Sequence, residues 1–251
     1  MSGHSKWSTI KHKKAAEDAK RGKIFTKLAR EITIAARAGG GDPTVNFSLR
    51  LVIDKAKTAN MPKENIERAI KRGTGELKSA VLKEFTYEGY GHGGTALLMQ
   101  VLTDNKNRAV ADIRRVFNRM GGSLGESGSV AWQFDQKGYL LIEARDQDPE
   151  ELALMAIDAN ADDIRIDDGQ VEIYTLPTDF QRVKEAMEEL GVELAEAQLA
   201  MVPKTLLELD TAETLRTMRL IEALEDLDDV QQVYTNVDIS DEVMAQYEEA
   251  A

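Results

Sequence analysis

The chain has 251 residues, of which 42% are hydrophobic and 30% are charged, a composition that suits a globular protein with a buried core. It contains no cysteine, which excludes disulfides, thiolate metal sites and cysteine nucleophiles. The formal net charge is −12, but residues 1–78 hold 18 basic and 8 acidic residues, whereas the remainder holds 14 basic and 36 acidic residues. A basic module on an otherwise acidic chain favours the binding of a polyanion by that module.

The first 78 residues predict a small helical domain. Residues 1–22 are polar and basic with little to bury, so we expect a mobile arm there. Apolar residues recur with helical spacing over 23–38, and the glycines before Pro43 end that helix. A second helix is predicted over 46–59, and a third begins at Pro62 and ends near Gly73.

The pattern changes after Gly75 to a mixture of strands and helices. Strands are predicted over 85–90 and 95–103, then a helix over 107–120, a glycine-rich loop over 121–128 and a short strand over 130–134.

The next segment predicts a compact β-α-β-β-α-β unit of the ferredoxin-like kind. Its predicted elements are a strand over 139–144, a helix over 149–160, strands over 163–166 and 171–174, a helix over 177–190 and a strand over 192–200. A helix over 212–227 and a strand over 232–237 are the last elements predicted, and they would complete the domain begun at residue 79. The predicted fold class is therefore α+β, with a basic helical domain over 1–78, an α+β domain over 79–135 and 205–240, and an inserted ferredoxin-like domain over 136–204.

Catalytic signals are weak. The three histidines have no metal-ligand spacing, and no P-loop motif is present. The G-x-G-x-x-G match over 89–94 is followed by a predicted strand rather than by the helix that a dinucleotide site needs. An enzyme would have to place its site between this loop and the 121–128 loop, with Glu126 as its acid or base. We expect no enzyme activity, no cofactor and no metal.

The basic residues of the N-terminal domain are the candidate nucleic-acid contacts. Trp7 lies among lysines, and it either stacks on an unpaired base or packs onto the helical domain. Four cations share the polar face of the first helix, where the alternative to phosphate contact is an ordinary solvated face. The complete predicted set is Lys6, Trp7, Lys11, His12, Lys13, Lys14, Lys20, Arg21, Lys23, Lys27, Arg30, Arg37, Arg68, Lys71 and Arg72.

Several stretches resemble the YebC/PmpR family, which includes the mitochondrial translational activator of cytochrome c oxidase. They are GHSKW at 3–7, IKHK at 10–13, ITIAARAGGGDP at 32–43, NMPKENI at 60–66, RAI at 68–70 and GGSLGESGSV at 121–130. The resemblance implies three domains and a non-catalytic, nucleic-acid-related role. Family members are described as DNA-binding transcriptional regulators, or as translation factors that act at the ribosome, including at proline-rich stalls. The family supplies no settled site residues.

The sequence thus predicts a DNA-binding transcriptional regulator, with a translation factor bound to ribosomal RNA as the alternative. No signal peptide and no apolar run long enough to span a membrane are present, so a cytoplasmic protein without a membrane partner is expected. The oligomeric state is left open by the sequence, with a monomer favoured.

Overall fold

A computed structural model describes residues 18–167 and 169–249 of the protein. Eight α-helices and eight β-strands lie in these residues. In chain order they are α1 (Asp18–Gly39), α2 (Phe47–Thr58), α3 (Lys63–Thr74), β1 (Lys83–Tyr90), β2 (Ala96–Thr103), α4 (Lys106–Met120), β3 (Ser123–Leu124), β4 (Phe134–Glu143), α5 (Pro149–Asp158), β5 (Asp163–Asp167), β6 (Gln170–Thr175), α6 (Phe180–Glu189), β7 (Glu196–Pro203), α7 (Thr211–Glu225), β8 (Val230–Thr235) and α8 (Asp241–Glu249).

The three N-terminal helices pack around one apolar core, as their hydrophobic spacing predicts. Leu28 and Ile32 of α1 meet Leu49 of α2 and Ile66 of α3 in this core. Asn46 caps α2 by accepting the Leu49 amide at 3.1 Å, and its own amide group donates to carbonyls at the end of α1. One buried side chain therefore ends one helix, begins the next and sets the angle between them.

A first antiparallel sheet has the strand order β3-β1-β2-β8. Helices α4 and α7 pack together against it through a core that includes Ile113, Phe117, Ile221 and Val233. Strand β8 lies near the far end of the chain and pairs with β2. The residues between these two strands include a second folded unit, which is therefore an insertion in the domain that carries this sheet.

The residues Phe134–Lys204 form that separate compact unit. Its antiparallel strand order β5-β6-β4-β7, with α5 and α6 as the two crossover helices, is the ferredoxin-like arrangement. The predicted α+β fold with an inserted ferredoxin-like unit is confirmed. The helical domain and the domain of the first sheet contact each other closely enough to form one compact unit, so the chain has two such units. The division of the chain into three domains stays a prediction.

Four element predictions are wrong. Helix α1 begins at Asp18, inside the arm predicted over 1–22, and strand β3 lies inside the loop predicted over 121–128. The predicted strand over 130–134 is a turn of 3-10 helix, Ala131–Gln133, followed by the first residue of β4. The Glu88 carboxylate accepts the backbone N–H groups of Val130 and Ala131, which removes them from any strand pairing. Helix α8 was not predicted, although Val243 and Tyr247 are buried on it. In the described part of the chain, no helix combines the length and apolar character that crossing a membrane requires.

Candidate nucleic-acid interface

Three cationic side chains of α1 lie against the end of α7 and the segment that joins it to β8. Lys23 Nζ is 3.0 Å from Asp226 Oδ1. The ammonium of Lys27, a residue that is 9% exposed, donates to the Glu225 carbonyl oxygen at 2.5 Å. Both lysines therefore hold α1 to the acidic end of α7.

Asp229 is the centre of this contact, and its side chain is only 9% exposed. It accepts Arg30 Nη1 at 2.8 Å, Arg108 Nη2 at 3.0 Å and the Thr103 hydroxyl at 3.0 Å. Hydrogen bonds from Arg108 to Asp229 and to Asp104 raise the pKa of the Arg108 guanidinium, and the same Arg108 hydrogen bond lowers the pKa of the Asp104 carboxyl. The network ties the helical domain to the first sheet through mutually compensating charges.

The polar face of α1 is thus an interface within the protein. Arg37, the fourth cation of that face, donates to the Leu82 carbonyl oxygen at 3.0 Å. The partner of Arg30 stands 199 positions later in the chain, so helical spacing on α1 gave no sign of it. A nucleic-acid role for Lys23, Lys27, Arg30 and Arg37 stays a prediction, and in this structure the protein itself engages all four.

Helix α3 presents its cations differently. Ile66, Ala69 and Gly73 are buried on one face, while Arg68, Lys71 and Arg72 are exposed on the other. Positions three and four apart share a helix face, so the three cations form one cluster. None of the three side chains makes an ion pair or a hydrogen bond with a residue that the structure describes.

Close helix packing fixes which face of α3 turns outward. A Cβ atom at Gly73 would lie 2.5 Å from the Thr33 carbonyl oxygen and 2.7 Å from Ala36 Cβ on α1. The Thr33 hydroxyl also donates to the Ala69 carbonyl oxygen at 3.1 Å. Because only glycine permits this approach, α3 cannot rotate without a clash, and its cationic face stays exposed.

Other lysines of the same domain have carboxylate partners. These pairs are Lys55 with Glu31 at 3.5 Å, Lys57 with Asp54 at 3.2 Å and Lys63 with Glu67 at 3.7 Å. The absence of such partners around Arg68, Lys71 and Arg72, among the described residues, therefore distinguishes the α3 cluster from its surroundings.

The remaining predicted contacts are described only in part. Residue Arg21 is exposed on α1, and Lys20 belongs to the same helix. The predicted contacts Lys6, Trp7, Lys11, His12, Lys13 and Lys14 lie outside the described residues.

Glu88 organises the loop that carries the GGSLGESGSV stretch, and sequence reasoning missed it. Its buried carboxylate accepts the N–H groups of Gly128, Val130 and Ala131 at 2.6, 2.7 and 2.8 Å. Burial raises the pKa of the Glu88 carboxyl, but the three backbone hydrogen bonds outweigh it and the pKa is lowered. Trp132 is 67% exposed and its indole N–H donates to the Ser129 carbonyl oxygen at 3.1 Å. An isolated acid on a predicted strand carries no sequence signal of such a role.

The two glycine-rich loops lie side by side. His92 Nε2 is 2.8 Å from the Met120 carbonyl oxygen, and a Cβ atom at Gly121 would lie 2.9 Å from the His92 ring. Glu126, the acid that an enzyme would need here, is exposed to solvent. No group of three or more histidines and carboxylates suited to a metal ion occurs among the described residues. The absence of catalysis stays a prediction.

Models of two domains match most of the chain. The TACO1/YebC N-terminal domain matches residues 5–76, and the TACO1/YebC second and third domain matches residues 82–237.

Relatives match over nearly the whole length. A probable transcriptional regulatory protein of Desulfatibacillum aliphaticivorans is 52% identical over 246 residues, which are 98% of this chain and all of that protein. One from Thermoanaerobacter pseudethanolicus is 53% identical and covers 96% of this chain and 99% of its own length. A crystal structure of a conserved hypothetical protein from Aquifex aeolicus has a TM-score of 0.83 at 45% identity, covering 89% of this chain and 93% of that one. These matches, together with the helical domain, the two sheets and the inserted ferredoxin-like unit, make the chain a member of the TACO1/YebC family.

Proposed function

We propose that this protein is a non-enzymatic, DNA-binding regulator of transcription, and that the exposed face of α3 contacts the phosphate backbone. The observation that carries the proposal is the cluster of Arg68, Lys71 and Arg72, which is exposed and has no carboxylate partner among the described residues. The names of the relatives support the regulatory part of the proposal.

The chemistry of the cluster suits phosphate recognition. Arginine donates two parallel N–H bonds to phosphate oxygens, and lysine adds a point charge. Each phosphate that is neutralised releases counterions, so binding energy of this kind depends steeply on salt and little on sequence. We therefore expect modest sequence selectivity unless residues outside the described part supply it.

Two acids, Glu88 at the end of β1 and Glu126 in the loop over 121–128, support the non-enzymatic part of the proposal. Both oxygens of Glu88 accept backbone N–H groups, and Glu126 is exposed to solvent. A carboxylate that acts as a general acid or base works best in a cleft that excludes water, with a pKa raised towards neutrality. The pKa of Glu88 is instead lowered.

The test compares two triple variants that lose equal charge. In the first, Arg68, Lys71 and Arg72 become glutamine; in the second, the ion-paired Lys55, Lys57 and Lys63 do. Affinity for a mixed-sequence duplex of about 30 base pairs is measured over a range of salt concentrations. Each lost phosphate contact should lower the affinity roughly eightfold near 0.1 M salt and flatten the salt slope by about 0.9.

The proposal fails if the α3 triple variant binds with the affinity and the salt slope of the control. Sedimentation of cell lysate through sucrose separates DNA from the ribosomal alternative. If the wild-type chain migrates with ribosomal particles and does not protect promoter DNA in footprinting, the target is ribosomal RNA and not DNA.

A further inference from the structure

Helices α4 and α7 carry a second group of exposed cations, in the part of the chain that is acidic overall. Beyond residue 78 the chain holds 14 basic and 36 acidic residues, so a patch of positive charge is unexpected there. Apart from Arg108, which bonds Asp229, five exposed arginines nevertheless occupy these two helices: Arg114, Arg115, Arg119, Arg216 and Arg219. Arg114 stands next to Arg115 in the chain and so lies on another side of α4, and we call the other four the arginine face.

The two helices run antiparallel, which brings these arginines together. At one end, Arg108 near the start of α4 bonds Asp229, four residues after the end of α7. At the other end, Gly121 just after α4 lies against His92, and Gly93 lies against Glu213 in the first turn of α7. The end of α4 therefore neighbours the first half of α7.

A shallow groove between the helices shows which side chains line the seam. Arg115 and Arg119 of α4 face Ala223 and Asp226 of α7 across it. Arg219 stands one turn before Ala223, and it therefore continues the same stripe of α7 towards its first half. Arg216 extends that stripe by a further three residues.

The carboxylates near this face are already engaged. Asp112 pairs with Arg115 at 3.1 Å, and Asp226 pairs with Lys23 at 3.0 Å. The Glu222 carboxylate accepts the hydroxyl of Tyr247 from α8. The other three arginines of the face, Arg119, Arg216 and Arg219, make no ion pair or hydrogen bond with any residue in the described ranges.

The arginines of the inserted unit are a comparison for the arginine face, because they are surface cations that have carboxylate partners. All three of its arginines are ion-paired: Arg145 with Glu193 at 3.0 Å, Arg165 with Asp163 at 3.7 Å and Arg182 with Asp179 at 3.0 Å. Like charges three or four residues apart on a helix are mildly destabilising. Arg115 with Arg119, and Arg216 with Arg219, have that spacing, so folding alone gives no reason for the arrangement.

We propose that the arginine face binds the phosphate backbone of the same nucleic acid that α3 contacts, as a second anchoring surface. The inference rests on the proposed function, and it extends the contact from the basic domain to the body that carries the first sheet. Guanidinium groups fit phosphate oxygens with two parallel hydrogen bonds, and a row of phosphates supplies the negative charge that the neighbouring carboxylates do not. Backbone contact of this kind needs no base sequence.

The experiment uses the full chain and three triple variants that each lose three positive charges. The arginine-face variant is R119Q/R216Q/R219Q, the α3 variant is R68Q/K71Q/R72Q, and the control is R145Q/R165Q/R182Q on the inserted unit. All nine side chains belong to exposed residues, so urea unfolding of each variant should match the wild type closely. The probes are a mixed-sequence DNA duplex and an RNA of the same length, each titrated over a range of salt concentrations.

The arginine-face variant should lose roughly eightfold in affinity for each lost contact near 0.1 M salt, with a flatter salt slope. A second version, R119K/R216K/R219K, keeps the charge but loses the paired hydrogen bonds, so its slope should match the wild type while its affinity falls.

The possible failures are distinguishable. Loss of binding in the α3 variant, with the arginine-face variant equal to the control, overturns this inference and leaves the proposed function standing. Loss in the arginine-face variant alone supports the arginine face and contradicts the assignment of α3. A wild-type chain that binds neither probe overturns both.

Discussion

Replacing Glu88 with glutamine should loosen the loop over 123–131 and lower the free energy of unfolding by about 4 kcal/mol. The Glu88 Oε2 atom accepts Val130 and Ala131, and Oε1 accepts Gly128 at 2.6 Å. Glutamine keeps one acceptor oxygen and presents an NH₂ group to the other donor. One charge-assisted bond of about 1.5–3 kcal/mol is lost, and the other two weaken by about 1 kcal/mol each.

Urea unfolding at pH 7 measures this loss, and amide hydrogen exchange locates it at Gly128, Val130 and Ala131. The exposed Glu84 on the same strand supplies the control, E84Q, whose effect should stay within about 0.5 kcal/mol. Equal stabilities of E88Q and E84Q, with unchanged exchange at the three amides, would refute the reasoning.

The pKa of Glu88 adds a pH dependence with a defined sign. Its pKa is lowered in the folded protein, so the carboxylate contributes stability above the unfolded-state pKa of about 4.3. That contribution disappears as the pH falls through the folded-state pKa. The difference in unfolding free energy between wild type and E88Q should therefore be constant near neutral pH and shrink in acid below about pH 4, and a difference that grew there would contradict the assignment.

Two further substitutions test the packing of the helical domain by urea unfolding. Asp229→Asn removes the buried partner of two arginines and should cost about 2–4 kcal/mol, whereas Asp226→Asn, at an exposed pair, should cost less than about 1 kcal/mol; similar losses would show that Asp229 is not the centre of the contact. Gly73→Ala would place a Cβ atom 2.5 Å from the Thr33 carbonyl oxygen and should destabilise by about 1–3 kcal/mol. Gly22→Ala, with nothing within 4 Å, should stabilise slightly, and a stabilising Gly73→Ala would mean that α1 and α3 separate easily.

Local patterns were sufficient for most elements and for the fold class. Apolar spacing of three and four predicted α1, α2 and α3, because helix periodicity is a property of neighbouring residues. The order of strands and helices likewise predicted the ferredoxin-like unit.

The errors arose where distant residues decide local structure. Val130 and Ala131 have the apolar character of a strand, but a carboxylate 42 and 43 positions earlier accepts their N–H groups and folds them into a turn. Helix α8 is short and acidic at its start, and burial of Val243 and Tyr247 against the first core stabilises it.

The sequence by itself determined that the amino-terminal domain is basic, that the remainder is acidic, and which residues form most of the helices and strands. Only the tertiary structure decided which cations are used within the protein and which remain exposed. It placed three cations of α1 against the end of α7 and the turn after it, some 200 positions away. It left those of α3 without partners among the described residues, and it brought arginines of two helices onto one face. The physical reason is that the sequence gives the position of each charge along the chain, whereas the interaction of two charges depends on their distance in space. That distance is set by the packing of elements that are remote in the chain.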